Sequence, residues 1–111
     1  MTRITVMGRK QPYALVFAAQ VKQHLRAIEP KYHSLIRAKV EEQLQFDPDK
    51  PTNRKRLRKP IAEADWELRF GPDNRFRVFY RIDPESHAVG IVAIGIKERG
   101  RLVIGDEEIE P

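Results

Sequence analysis

The chain is 111 residues long, 41% hydrophobic and 33% charged, enough apolar mass for one small core and too short for a second domain. It has no cysteine, which excludes disulfides, thiolate zinc sites and cysteine nucleophiles, and its three histidines (His24, His33, His87) lack metal-ligand spacing, so no metal and no cofactor are expected. Lys and Arg number 21 against 16 acids, a net charge of +5 that suits a polyanion or an acidic protein partner.

In chain order, residues 1–12 read as an N-terminal extension in which Ile4-Thr5-Val6-Met7 is either an edge strand or loose. That segment lacks the apolar stretch of a signal peptide and no run reaches a membrane span, so cytoplasm is the expected compartment and no membrane partner is expected. Tyr13 to Phe17 is apolar enough for a buried strand. Ala18 to Glu29 carries Val21, Leu25 and Ile28 at helical spacing, and Pro30 stops that helix and opens the next. In the second helix Tyr32, Leu35, Ile36, Val40 and Leu44 share one side, so the two form a helical hairpin. Turn chemistry over Asp47 to Asn53 leads into a basic run, Arg54 to Lys59, which reads as a charged connecting loop ended by Pro60.

Period two then governs a hairpin: Trp66, Leu68 and Phe70 oppose Glu67 and Arg69 on one strand, and Phe76, Val78, Tyr80 and Ile82 oppose Arg75, Arg77, Phe79 and Arg81 on the other. Gly71-Pro72-Asp73-Asn74 supplies the reversal. The apolar set faces a core and the arginines face water or phosphate. Val89 to Ile96, apolar almost throughout, reads as a central strand covered on both faces, and Arg101 to Ile104 as a last short strand. Residues 105–111, with Asp106, Glu107, Glu108 and Glu110, read as a solvated acidic tail. Between Lys50 and Arg81 ten basic residues stand against four acids, so this third of the chain concentrates the positive charge.

The order of elements predicts an α+β fold, an N-terminal helical hairpin packed on a small antiparallel β-sheet, as one domain over 1–111. With Tyr13 and Phe17 in the opening strand, Arg54-Lys55-Arg56-Leu57, Trp66-Glu67-Leu68-Arg69, Arg75 to Tyr80, and Ile94-Gly95-Ile96-Lys97-Glu98-Arg99, the chain resembles the RelE/ParE superfamily of type II toxins over residues 13 to 104. The resemblance implies a bacterial toxin held inactive by a cognate antitoxin. RelE-like members cut mRNA on the ribosome without a metal; ParE-like members poison DNA gyrase; a degenerate homologue would only bind antitoxin or RNA. Ribosome-dependent cleavage is the leading expectation from the resemblance, with the gyrase inhibitor as the alternative.

Under the endoribonuclease reading the resemblance assigns Arg77 to the family's hairpin arginine, Arg69 to its second lysine and Lys97 to the arginine after the central strand. Glu67 stands where the first lysine belongs, and no Tyr or His follows His87. Glu67 is then either a general base, with Arg69, Arg77 and Lys97 clamping phosphate, or a salt-bridge partner of Arg77 or Arg81. Arg54, Lys55, Arg56 and Arg58, with Arg75, Arg81 and Arg99, are the candidate nucleic-acid contacts, against the reading of a solvated basic loop. Phe79 either stacks on a base or is buried by a neighbour; Trp66 and Tyr80 belong to the core, Tyr80 with a satisfied hydroxyl. His24 and His33 read as surface residues on helices, and His87 sits in a turn.

Overall fold

A computed structural model describes residues 11–109. The element order is β1 (Ala14–Phe17), α1 (Val21–Arg26), α2 (His33–Leu44), β2 (Lys55–Ile61), β3 (Ala64–Phe70), β4 (Phe76–Asp83), β5 (Ala88–Glu98), β6 (Arg101–Ile104) and β7 (Glu107–Ile109). Strands β2 to β7 follow one another as antiparallel neighbours, whereas β1 pairs with β5 in parallel, so the sheet is mixed rather than purely antiparallel. The expectation for Ile4 to Met7 and for Glu110 lies outside the described residues.

The fold is α+β, but the helical hairpin is replaced by one short helix and one full one. α1 spans only six residues, because Ala27 closes it and Glu29 is already extended before the 3₁₀ turn Pro30–Tyr32. His33, at the start of α2, ties the two together: its Nε2 lies 2.8 Å from the carbonyls of Leu25 and Ile28, so that nitrogen carries the proton and donates to both. α2 buries Ile36, Val40 and Leu44, four residues apart, while Leu35 is exposed. β1 is also more open than expected, with Val16 and Phe17 exposed.

Three further expectations change. The run expected as a basic loop is β2, an edge strand in which Pro60 is tolerated beside a register shift between Leu57 and Ile61. The expected acidic tail contains β7, paired with β6 through a two-residue loop at Gly105 and Asp106, with Ile109 packed on buried residues. His24 and His33 are half-buried rather than superficial. The strands β1 and β6 share one edge of β5, at Ala88–Ile91 and Gly95–Glu98, and α1 fills the gap between them. Gln20 Nε2 donates to the Val92 carbonyl at 3.1 Å, and the Ile94 N–H donates to His24 Nδ1 at 3.3 Å, leaving neither backbone group orphaned.

The β3–β4 pairing is the one the alternation predicts: Trp66 lies opposite Tyr80, Leu68 opposite Val78 and Phe70 opposite Phe76. These six side chains form the main core with α1, α2 and β5. Tyr80 is fully buried, stacks near Trp66 and donates from its hydroxyl to the Pro48 carbonyl at 2.7 Å. Tyr80→Phe leaves that buried carbonyl without its donor and should cost about 1–2 kcal/mol in chemical denaturation; an unchanged midpoint would show that the Pro48 loop does not hold β4. The opposite face of the sheet has a second core. Phe79, Ala64, Val92, Ala93, Leu102 and Ile104 pack there, because a bulge in β5 at Val92, opposite Phe79 and Tyr80, brings both Val92 and Ala93 to that side.

Candidate functional site

The sheet curls so that β2 and β7, five strand spacings apart and hence about 24 Å on a flat sheet, flank one cavity. Its volume is about 340 Å³, and Arg56, Arg58 and Lys59 of β2, Arg69 of β3, Arg77 of β4 and Lys97 of β5 surround it above an apolar lining of Leu102 and Ile109. Register explains the convergence. Arg56 pairs with Glu67 across β2–β3, Arg69 lies directly opposite Arg77, and Arg77 opposite Gly95, two residues before Lys97, so all point to one face. A Cβ on Gly95 would meet the Val103 carbonyl at 2.6 Å and Ile104 Cγ1 at 2.8 Å, so only glycine lets β6 close over the floor here.

Behind the lining arginines, and not itself lining the cavity, sits Glu67. Arg69 Nε donates to its Oε1 at 2.7 Å, and Arg58 and Arg77 approach Oε2 at 2.9 and 3.3 Å. The Glu67 side chain is 0% exposed, and those of Arg77, Arg58 and Arg69 are 8%, 15% and 24% exposed. Burial alone would raise the Glu67 carboxyl, but the Arg69 hydrogen bond and the charges of Arg69, Arg77 and Arg58 together outweigh it and hold the carboxyl below the ordinary glutamate range. Burial lowers the Arg77 guanidinium from its usual value, with Glu67 opposing the shift; arginine nevertheless stays charged.

Arg77 and Arg58 each have a second anchor. Arg77 Nε donates to the Asn74 carbonyl at 2.7 Å, presented by a turn in which Gly71, Asp73 and Asn74 all have positive φ. Gly71 is required there, since a Cβ would lie 2.6 Å from the Phe76 ring. Arg58 Nε donates to the Lys59 carbonyl, and its guanidinium lies 5.3 Å from the centre of the Phe79 ring.

Thus Arg69, Arg77 and Lys97 meet in one place with Arg56 and Arg58, as does Lys59, whose turn to this side follows the register shift in β2. The expectation that the arginines are simply solvent-facing fails for Arg77, which is buried against Glu67. Of the two readings of Glu67 the salt bridge fits, with Arg58, Arg69 and Arg77 as partners rather than Arg81. The remaining basic residues point elsewhere. Lys55 is buried and its Nζ donates to the carbonyls of Gln43 and Asp47. Arg75 pairs with Glu98 and lies over the Tyr32 and Phe76 rings, on the helix side. Arg81 is exposed near Glu63 at 3.9 Å, Arg99 is exposed in the β5–β6 turn, and exposed Arg54 does not line the cavity. Phe79 is fully buried, so it offers no stacking platform.

No tyrosine or histidine lines the cavity, and among the described residues no group of three or more His, Asp or Glu is placed to hold a metal ion. Nor is any described helix long and apolar enough to cross a membrane. Neither a curated protein nor a solved structure matches the chain in a similarity search. A family model, the ParE toxin of type II toxin-antitoxin system, parDE, matches residues 15–100. That stretch contains every strand that contributes a cation to the cavity, and the chain belongs to this family of type II toxins.

Proposed function

We propose that this toxin acts by binding DNA gyrase and inhibiting it, and that a cognate antitoxin keeps it inactive until release. The observation that carries this reading is the state of Glu67. Cleavage through a ribose 2′-OH needs a base facing the substrate, yet both Glu67 oxygens are occupied by guanidiniums and the carboxylate is buried. An inhibitor that works through contact needs no base, and the family description favours the same direction.

The RelE-like endoribonuclease stands as the second reading, on one observation: six cations surround a single cavity and could serve mRNA on the ribosome. Two assays on the purified toxin separate the readings. Gyrase supercoiling of relaxed plasmid should be inhibited at stoichiometric toxin, and single-round translation should give no discrete cuts in the ribosomal A site. A-site cuts with normal supercoiling would reverse the assignment. Expression without antitoxin should arrest growth; normal growth with folded toxin, and no effect in either assay, would mark a degenerate, non-toxic homologue.

A further inference from the structure

We propose that β1 is a self-pairing edge: two copies of the chain join β1 to β1, antiparallel, about a two-fold axis at Val16, and the Phe17 ring of each copy enters the groove between β1 and α2 of the other. This face is separate from the sheet cavity, and the proposal does not rest on the gyrase reading. The backbone is the starting point. β1 has a single sheet neighbour, β5. Ala14 and Ala18 donate their N–H groups to the His87 and Ile91 carbonyls on the β5 side, so the alternation of a strand turns the N–H and C=O groups of Leu15 and Phe17 to the open side. The other strands with an open edge are guarded by their side chains: β2 carries Lys55, Arg56, Arg58, Lys59 and Pro60, and β7 carries Glu107 and Glu108. β1, with the sequence Ala-Leu-Val-Phe, has neither charge nor proline, the composition of an edge that pairs rather than repels.

One register satisfies every outward group. With Val16 opposite the partner's Val16, Leu15 lies opposite the partner's Phe17 and Phe17 opposite the partner's Leu15, each pair exchanging both of its N–H to C=O bonds. The same register covers the apolar surface that a single chain leaves bare. Val16 is 55% exposed and Phe17 45%, and as chain neighbours they lie on opposite faces of β1; pairing sets Val16 against its own copy on one face and Phe17 against the partner's Leu15 on the other. Leu15 packs on the main core, so the face that Phe17 shares with it is the helix side, where Leu15, Leu25 and Ile36 line a groove. Lys22, Arg37 and Glu41 also line that groove, with Arg37 and Glu41 paired at 3.8 Å and both well exposed. Two identical rims of mixed sign can therefore meet with opposite charges together, whereas the six cations of the sheet cavity would repel their own copy. An isologous contact requires a patch of this kind, which carries both the projection and the recess and both signs of charge.

The test is sedimentation equilibrium on the purified full chain. The mass should rise with concentration from the 13.0 kDa of one chain to twice that value and no further. Val16→Lys and Val16→Glu each set like charges opposite each other at the axis, so each alone should have its dissociation constant raised about thirtyfold or more. Mixed in equal amounts they set opposite charges there and should associate again, a rescue that depends on this register. At dilutions where the parent is itself monomeric both variants should melt with it, because Val16 is exposed in a single chain. Leu57→Lys, at an exposed apolar side chain of the β2 edge, should leave the association unchanged. The proposal is overturned if the parent keeps the mass of one chain at every concentration, if Leu57→Lys dissociates the pair as fully as Val16→Lys, or if the two mixed charge variants stay apart. A monomeric parent whose antitoxin binding is lost in Val16→Lys would overturn it too, and would give the β1 edge to the antitoxin. Inhibition of supercoiling by a toxin that never pairs would overturn this proposal alone and leave the gyrase reading intact, so the two can fail separately.

Discussion

Glu67→Gln should destabilise the protein by about 3–5 kcal/mol at pH 7, the range expected when one member of a buried ion pair is removed. The substitution keeps the shape but leaves Arg77, Arg58 and Arg69 around a neutral amide, with Arg77 almost wholly removed from water. In a domain of this size that corresponds to a fall in melting temperature of at least about 12 °C. The pH dependence separates this from a packing defect. The Glu67 carboxyl titrates below its ordinary value of 4.5 in the folded state, so its contribution is fully present above that value and is lost as pH falls through the lower, folded one. The gap between parent and variant should therefore be wide at neutral pH and narrow in acid. A Glu67→Gln protein as stable as the parent at pH 7 would mean that the three arginines are solvated separately and that no preorganised cluster exists. If toxicity in a folded Glu67→Gln protein vanished with the A-site cuts of the parent, the buried carboxylate would be a base after all.

What the sequence made legible was the part governed by contrast along one strand. Trp66 to Phe70 and Phe76 to Tyr80 alternate between large apolar and charged residues, so period two assigned the faces and the reversal between them assigned the pairing. The central position of β5 was legible for the same reason, its unbroken apolar run requiring cover on both sides. The curl of the sheet was not. Nothing local in Arg56 or Ile109 says that the two edges of the sheet approach each other, and that approach turns an arginine face into a cavity. One signal was present: Phe79 is a large apolar residue on the charged face, and Leu102 and Ile104 alternate with Arg101 and Val103, a matching face waiting for a partner. β2 was hidden because Lys, Arg and Pro are poor strand formers and the strand is held by its neighbour β3 and by the Lys55 ammonium under the Gln43 and Asp47 carbonyls. α1 ended early because helical spacing at Val21, Leu25 and Ile28 was satisfied by a short helix and a turn, with Ile28 buried just beyond its end.

The second core is the element that gives the cavity its form, and Phe79→Ala tests it. Phe79 is fully buried among Ala64, Val92, Ala93, Leu102 and Ile104, with the Arg58 guanidinium over its ring. Truncation removes the apolar contact that β4 makes with the β5–β6 hairpin on this face of the sheet and should cost about 3–5 kcal/mol. Part of that loss is the cation–π contact, about 0.5–2 kcal/mol for a partly desolvated arginine, so Phe79→Leu should recover packing but not the Arg58 contact. Trp66, the single tryptophan, lies on the other face of β3 in the main core. Its native-state emission should therefore stay that of the parent in both variants while the unfolding midpoint falls. Arg58 should lose one of its anchors, and the cavity its fixed wall on the β2 side. A Phe79→Ala protein within about 1 kcal/mol of the parent, as for a surface change, would show that β6 does not close over β4 in solution; the six cations would then lie on an open sheet with no cavity between them.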